Sequence, residues 1–163
     1  MESMVRVQHG VWSKRSEADV HDGMGIDCET GGFTQLAISW AAGNGKGIAD
    51  AKCDPYDADD RLYFPCADRS GRALRVPAYQ TLVTVAQQKR WLNEVGPITA
   101  SFKVYRDFDS WTPAKGVYKY DGKSAYRGKH AVLIVGYNNI RGCWIVKNSW
   151  GPTEGDNGFY LIG

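Results

Sequence analysis

Residues 129–151 read Lys129-His130-Ala131-Val132-Leu133-Ile134-Val135-Gly136-Tyr137-Asn138-Asn139-Ile140-Arg141-Gly142-Cys143-Trp144-Ile145-Val146-Lys147-Asn148-Ser149-Trp150-Gly151. Two short runs rich in β-branched and aromatic residues, 131–137 and 143–147, flank the turn-forming segment from Asn138 to Gly142, the pattern of two strands joined by a short connection. Antiparallel pairing across that turn brings the start of the first strand to the end of the second, and so sets the His130 imidazole beside the Asn148 carboxamide. A proton-transferring histidine needs this geometry: one ring nitrogen held by an amide oxygen, the other free to exchange a proton with a nucleophile. Trp150 stands where its indole covers the hydrogen bond from water and strengthens it by lowering the local dielectric. The plainer reading of the same residues is a strand-end histidine satisfied by a turn asparagine.

Working outward, a helix is expected over 84–95, where Ala86, Trp91, Leu92 and Val95 recur at helical spacing until Gly96-Pro97 stops them. Strands are expected at 98–105, 116–120, 131–137, 143–147 and 158–162. One helix followed by five short strands gives an α+β class with an antiparallel sheet curling into a small barrel. The chain before it is irregular and rich in Gly and Asp. A short helix is expected at 2–8, and a second after Gly31-Gly32, where Phe33, Leu36, Ala37 and Trp40 build one buried face and Gly43 supplies the cap. The chain thus divides into a first lobe, 1–75, and a second, 76–163.

Composition sets the outer bounds. The 163 residues are 43% hydrophobic and 23% charged, ordinary values for a folded domain rather than a disordered segment. Twenty Lys and Arg against eighteen Asp and Glu give +2, with no basic run interleaved with aromatics, so nothing marks a nucleic-acid partner. The longest strongly apolar run, 131–135, is far short of the roughly 20 residues that cross a bilayer, so no membrane partner is expected either. Four cysteines, Cys28, Cys53, Cys66 and Cys143, form no CxxC pair and have no histidine grouped near them, which argues against a metal site. Cys53 and Cys66 flank a polar loop, and a bridge there would contribute about 3 kcal/mol. The alternative is that all four are reduced, Cys143 above all in its apolar strand. A bridge would hint at an oxidising compartment; nothing else in the sequence points to one. His9 and His21 read as surface residues.

Taken together these segments resemble the papain-like cysteine peptidases, whose active site pairs Cys with His and Asn. The stretch from Lys129 to Val132 with Val135-Gly136-Tyr137 resembles the family's histidine segment, and Trp144 to Gly151 is similar to its asparagine segment almost residue for residue. Gly155-Asp156-Asn157-Gly158-Phe159 continues it. Gly96-Pro97-Ile98 resembles the entry to the family's barrel lobe, and the stretch from Asp107-Phe108 to Gly116-Val117-Tyr118 the part that follows. Upstream, Ser16-Glu17 to Asp22 is similar to a Ser-Glu-Gln-x-Leu-x-Asp element, Cys28-Glu29-Thr30-Gly31-Gly32 to Cys-Asn-Gly-Gly with one residue inserted, and Asp54-Pro55-Tyr56 to Tyr-Pro-Tyr.

The resemblance implies a two-lobe fold, the remainder of a helical lobe followed by the barrel-like lobe. It also implies His130 as base then acid, Asn148 as its orienter, and a peptide or protein substrate with no cofactor and no metal. It implies that Gly31 and Gly32 offer backbone hydrogen bonds to an extended peptide. Phe33, Ser101, Gly128 and Ala131 would line the pocket for the second residue before the cleaved bond. The family's nucleophile motif, Gly-x-Cys-Gly-Ser-Cys-Trp, and the oxyanion Gln before it do not occur in these 163 residues. Glu2 to Gly10 looks like the tail of the helix that carries that cysteine, so the expectation is a chain truncated at its N-terminus and inactive alone. Cys28, flanked by Asp27 and Glu29, reads as an unpaired structural thiol rather than a substitute nucleophile, since adjacent carboxylates disfavour a thiolate. Glu154 stands where the family usually has a second Trp. An exposed carboxylate there favours a basic residue on the leaving-group side. Three readings follow: a peptidase whose front lies elsewhere, a non-catalytic binding module that keeps the peptide groove, or one piece of a two-fragment enzyme whose partner is the missing N-terminal segment.

Overall fold

A computed structural model describes residues 1–26, 31–57 and 62–163. Cys28 and the rest of the Cys28-Glu29-Thr30 motif lie outside them. The chain forms two compact units, Met1–Thr81 and Leu82–Gly163.

Among its described residues the first unit holds four short helices: α1 (Glu2–His9), α2 (Glu17–His21), α3 (Thr34–Ala41) and α4 (Arg69–Arg72). Ser16 caps α2, its hydroxyl accepting from the Asp19 amide at 2.8 Å. Asp19 itself is fully buried, and its carboxylate accepts from Arg69 Nε and Nη2, from the Ala49 amide and from the Tyr63 hydroxyl. A disulfide joins Cys53 to Cys66. His9 is exposed, whereas His21 is half-buried with Nδ1 2.6 Å from Asp22 Oδ1. The buried face expected from Phe33, Leu36, Ala37 and Trp40 is only half realised. Phe33 is 77% exposed as the N-cap of α3, and Leu36 is also exposed. Trp40 turns inward, its ring meeting Tyr63 edge-on and lying under the Lys46 ammonium. Helical spacing names the residues that share a side; whether a described element covers that side is a tertiary fact.

The second unit opens with α5 (Val85–Glu94), held at its start by a capping box in which the Thr84 hydroxyl accepts from the Gln87 amide and the Gln87 carboxamide oxygen accepts from the Thr84 amide. Four antiparallel strands follow: β1 (Ile98–Tyr105), β2 (Tyr126–Asn138), β3 (Cys143–Lys147) and β4 (Phe159–Ile162), in the order β1-β2-β3-β4. The sheet is open, so the expected barrel does not close. One face packs Phe102, Val132, Ile134, Val146 and Tyr160 around Phe108 and Tyr118, with Leu92 of α5 against them. Residues 116–120 do not form a strand. Gly116, at φ 76, ends a 3-10 turn, and Tyr118 is drawn to Asp107 by a 2.9 Å hydrogen bond. The Tyr118 backbone pairs with β4 by an isolated parallel bridge to Ile162. β2 begins five residues before the expected 131, because β1 pairs with it as far as Tyr105↔Tyr126. The register shifts there, and Gly128 sits at φ 149. Open space surrounds the position of its absent Cβ, so conformation rather than room calls for glycine.

Candidate active site

β2 and β3 pair Leu133 with Lys147 and Ile134 with Val146, so the same register carried one residue past β3 sets Asn148 opposite Val132, one pleat repeat along β2 from His130. The Asn148 amide donates to the Gly158 carbonyl at 2.9 Å, which fixes the residue just beyond the strand. His130 Nε2 lies 2.6 Å from Asn148 Oδ1. A carboxamide oxygen only accepts, so Nε2 carries the proton and Nδ1 of the neutral ring is left with its lone pair. Among the described residues Nδ1 has no partner.

Aromatic rings close the other sides. The Trp150 ring stacks on the imidazole at 4.8 Å between centroids and 30° between planes, and Phe102 meets it edge-on at 6.1 Å. Trp150 packs in turn on Phe108 and Tyr160. Asn148 is buried at 8% exposure, while Trp150, stacked on the imidazole that Asn148 contacts, keeps 48%. Burial pushes the Tyr160 phenol above its usual range; the Asn148 side chain acts the other way and the Glu154 charge adds to the rise. Tyr160 and Phe108 belong to this site although the sequence reading did not single them out. Their only signal was an aromatic in an apolar strand and another in a loop, and neither indicates which ring they will meet.

Ser101 pairs directly with Ala131 across β1 and β2, both exposed on the face opposite the core, with Gly128 three residues before Ala131 on the same strand. Gly31, Gly32 and Phe33 belong to the first unit. There Gly32 lies against Ile26, where an added Cβ would approach the Ile26 side chain to 2.9 Å. Glu154 is exposed, and its carbonyl accepts from the Gly158 amide. Of the described thiols, Cys53 and Cys66 are bonded to each other and Cys143 is buried in β3, so none faces the imidazole. No group of His, Cys, Asp and Glu able to hold a metal ion occurs among the described residues. No described helix is long and apolar enough to cross a membrane.

A sequence model of the family described as "Papain family cysteine protease" matches residues 1–163, and the chain belongs to that family. It is 30% identical to mouse (Mus musculus) cathepsin K over 154 residues, 84% of this chain and 44% of that protein. It is 32% identical to bovine (Bos taurus) pro-cathepsin H over 139 residues, 81% of this chain and 40% of that one. The chain therefore spans less than half the length of these relatives. Among solved structures, procathepsin B S9 from Trypanosoma congolense superposes with a TM-score of 0.74 at 26% identity, covering 98% of this chain and 57% of that one. The digestive procathepsin L 3 of Tenebrio molitor larval midgut, at 20% identity and TM-score 0.71, shares the fold. The papain-like α+β fold is thus established, with an open sheet in its second unit.

Proposed function

We propose that the chain supplies the proton-handling half of a papain-like peptidase, with His130 as base then acid, Asn148 as its orienter and Trp150 as the shield. Residues 1–75 act as part of the helical lobe and 76–163 as the sheet lobe of one peptidase domain. The observation that carries this is the 2.6 Å contact between His130 Nε2 and Asn148 Oδ1 under the Trp150 ring, which leaves Nδ1 available. In the complete reaction a cysteine thiol gives its proton to Nδ1 and the thiolate attacks the peptide carbonyl carbon. The imidazolium then returns the proton to the departing amine, leaving a thioester. Water, deprotonated by the same nitrogen, cleaves the thioester to the carboxylic product and the free thiol. Gly31 and Gly32 bind the substrate backbone, and Phe33, Ser101, Gly128 and Ala131 receive the side chain two residues before the cleaved bond.

The chain alone is inactive in this reading, because its sequence holds no family nucleophile motif and no described thiol faces His130. Mixing it with a synthetic peptide that carries the family's nucleophile helix tests the proposal. Hydrolysis of a peptide substrate that appears on mixing and disappears in His130→Ala supports it. Tight binding of substrate without any turnover would instead assign the chain to a non-catalytic binding module.

A further inference from the structure

β1 and β2 set Lys103 directly opposite Lys129. Opposed residues of an antiparallel pair point to one face with Cβ atoms about 5 Å apart, and the pair two residues along on that face is Ser101 with Ala131. Both lysines are exposed. Like charges placed directly across a ladder repel. Glu94 is paired with Arg90 and Asp109 with Arg127. Asp107 accepts from Tyr118 and from the Asp121 amide, Asp121 accepts from Lys123 and Ser124, and Asp156 accepts from Asn157. Among the described residues no carboxylate is paired with Lys103 or Lys129. Lys147, opposite Leu133 on the same side of β2, adds a third ammonium to the face. The floor between these charges is small: the Ser101–Ala131 pair leaves room for an extended chain.

We infer that Lys103 and Lys129 are specificity-determining residues that receive the carboxylate of an acidic substrate side chain whose aliphatic stem rests on Ser101 and Ala131. This rests on the proposed reading of Ser101 and Ala131 as substrate-binding residues. Glutamate fits better than aspartate, since its longer stem covers more of the pleat repeat of about 7 Å that separates that pair from the lysines, and the flexible lysine side chains close the remainder.

The test is a binding measurement on the 163-residue chain. Three fluorescein-labelled peptides, identical except for Glu, Gln or Leu at one central position, are titrated by anisotropy at about 20 mM and about 200 mM salt, conditions that differ in screening length. The Glu peptide is expected to bind about threefold to tenfold tighter than the Gln peptide at low salt, the worth of two exposed ion pairs, with the ratio shrinking at high salt. The combined Lys103→Ser and Lys129→Ser variant loses the preference, and the combined Lys103→Arg and Lys129→Arg variant keeps it. Equal affinity for Glu and Gln, or a preference that survives in the serine variant, overturns the inference while leaving the peptide-groove reading intact. Binding of none of the three peptides by a folded chain overturns both.

Discussion

Arg69 grips Asp19 with two nitrogens, Nε 2.5 Å from Oδ1 and Nη2 2.8 Å from Oδ2, and the carboxylate they hold has no exposure at all. The pair joins α2 to α4 across fifty residues of sequence. Arg69 also donates to the Gly47 carbonyl, while Asp19 takes the Ala49 amide, so one ion pair ties three segments of the first unit together.

Removing the guanidinium leaves a buried carboxylate with only neutral donors. Arg69→Met is expected to lower stability by about 3–5 kcal/mol, measured by urea unfolding followed through tryptophan fluorescence. A loss under about 1 kcal/mol would show that water reaches Asp19 and replaces the arginine.

Protons should unsettle the fold from both ends of the pH scale, for different reasons. The Arg72 guanidinium, through two hydrogen bonds, holds the Asp50 carboxyl down to about 2, and backbone amides of Lys123 and Ser124 lower Asp121. Groups depressed in this way contribute stability that is present above the unfolded value of about 4 and is lost as pH falls toward 2. Burial, aided by the Asp107 contact, raises the Tyr118 phenol well above its usual range, and burial likewise raises Tyr63 and Tyr160. Their contribution is whole below about 10, the unfolded value, and is lost as pH rises beyond it. Urea midpoints read between pH 9 and 12 should therefore fall steeply, and less steeply in Tyr118→Phe. An unchanged slope in that variant would remove Tyr118 from the account.

The opposed lysines make a prediction that involves no ligand. Lys129→Thr replaces a like-charge cross-strand pair by a β-branched partner on an exposed face, so it should raise stability by about 0.2–1 kcal/mol, more at low salt than at high. The measure is the thermal midpoint in dilute and in concentrated salt. A destabilised variant would mean that Lys129 has a favourable partner.

What was legible in the sequence was local. Val132 and Ile134 alternate with outward residues along β2, and Asn138 to Gly142 makes the turn, so the hairpin that brings His130 to Asn148 follows from pattern alone. The spacing of Ala86, Trp91, Leu92 and Val95 before Gly96-Pro97 likewise marks α5. The residues that escaped it are those whose partners lie far along the chain. Asp19 reads as one more acidic residue in a short polar run until Arg69 folds onto it. Tyr118 looks like the centre of a strand because Val117 and Tyr120 are strand-favouring residues, yet its hydroxyl answers to Asp107. Phe33 and Leu36 obey helical spacing and still face outward, since periodicity states which residues share a side and not what lies above it.

The Trp150 indole gives the dyad its sharpest test. It stacks on the His130 ring beside the buried Asn148, and in the proposed reading the Nε2 proton is held both by the carboxamide oxygen and by exclusion of water. Trp150→Ala opens that side. The Nε2 proton, followed by nitrogen-edited NMR, should then exchange with solvent about tenfold faster, the equivalent of about 1.4 kcal/mol. Trp150→Phe keeps an aromatic face over the ring and should restore most of the protection. Asn148→Ala removes the acceptor itself and should speed exchange at least as much while leaving the sheet intact, because the Asn148 backbone bond to Gly158 does not depend on its side chain. If exchange in Trp150→Ala matches that of the native chain, the indole does not shield the pair, and the protection must come from Phe102 and the strand beneath.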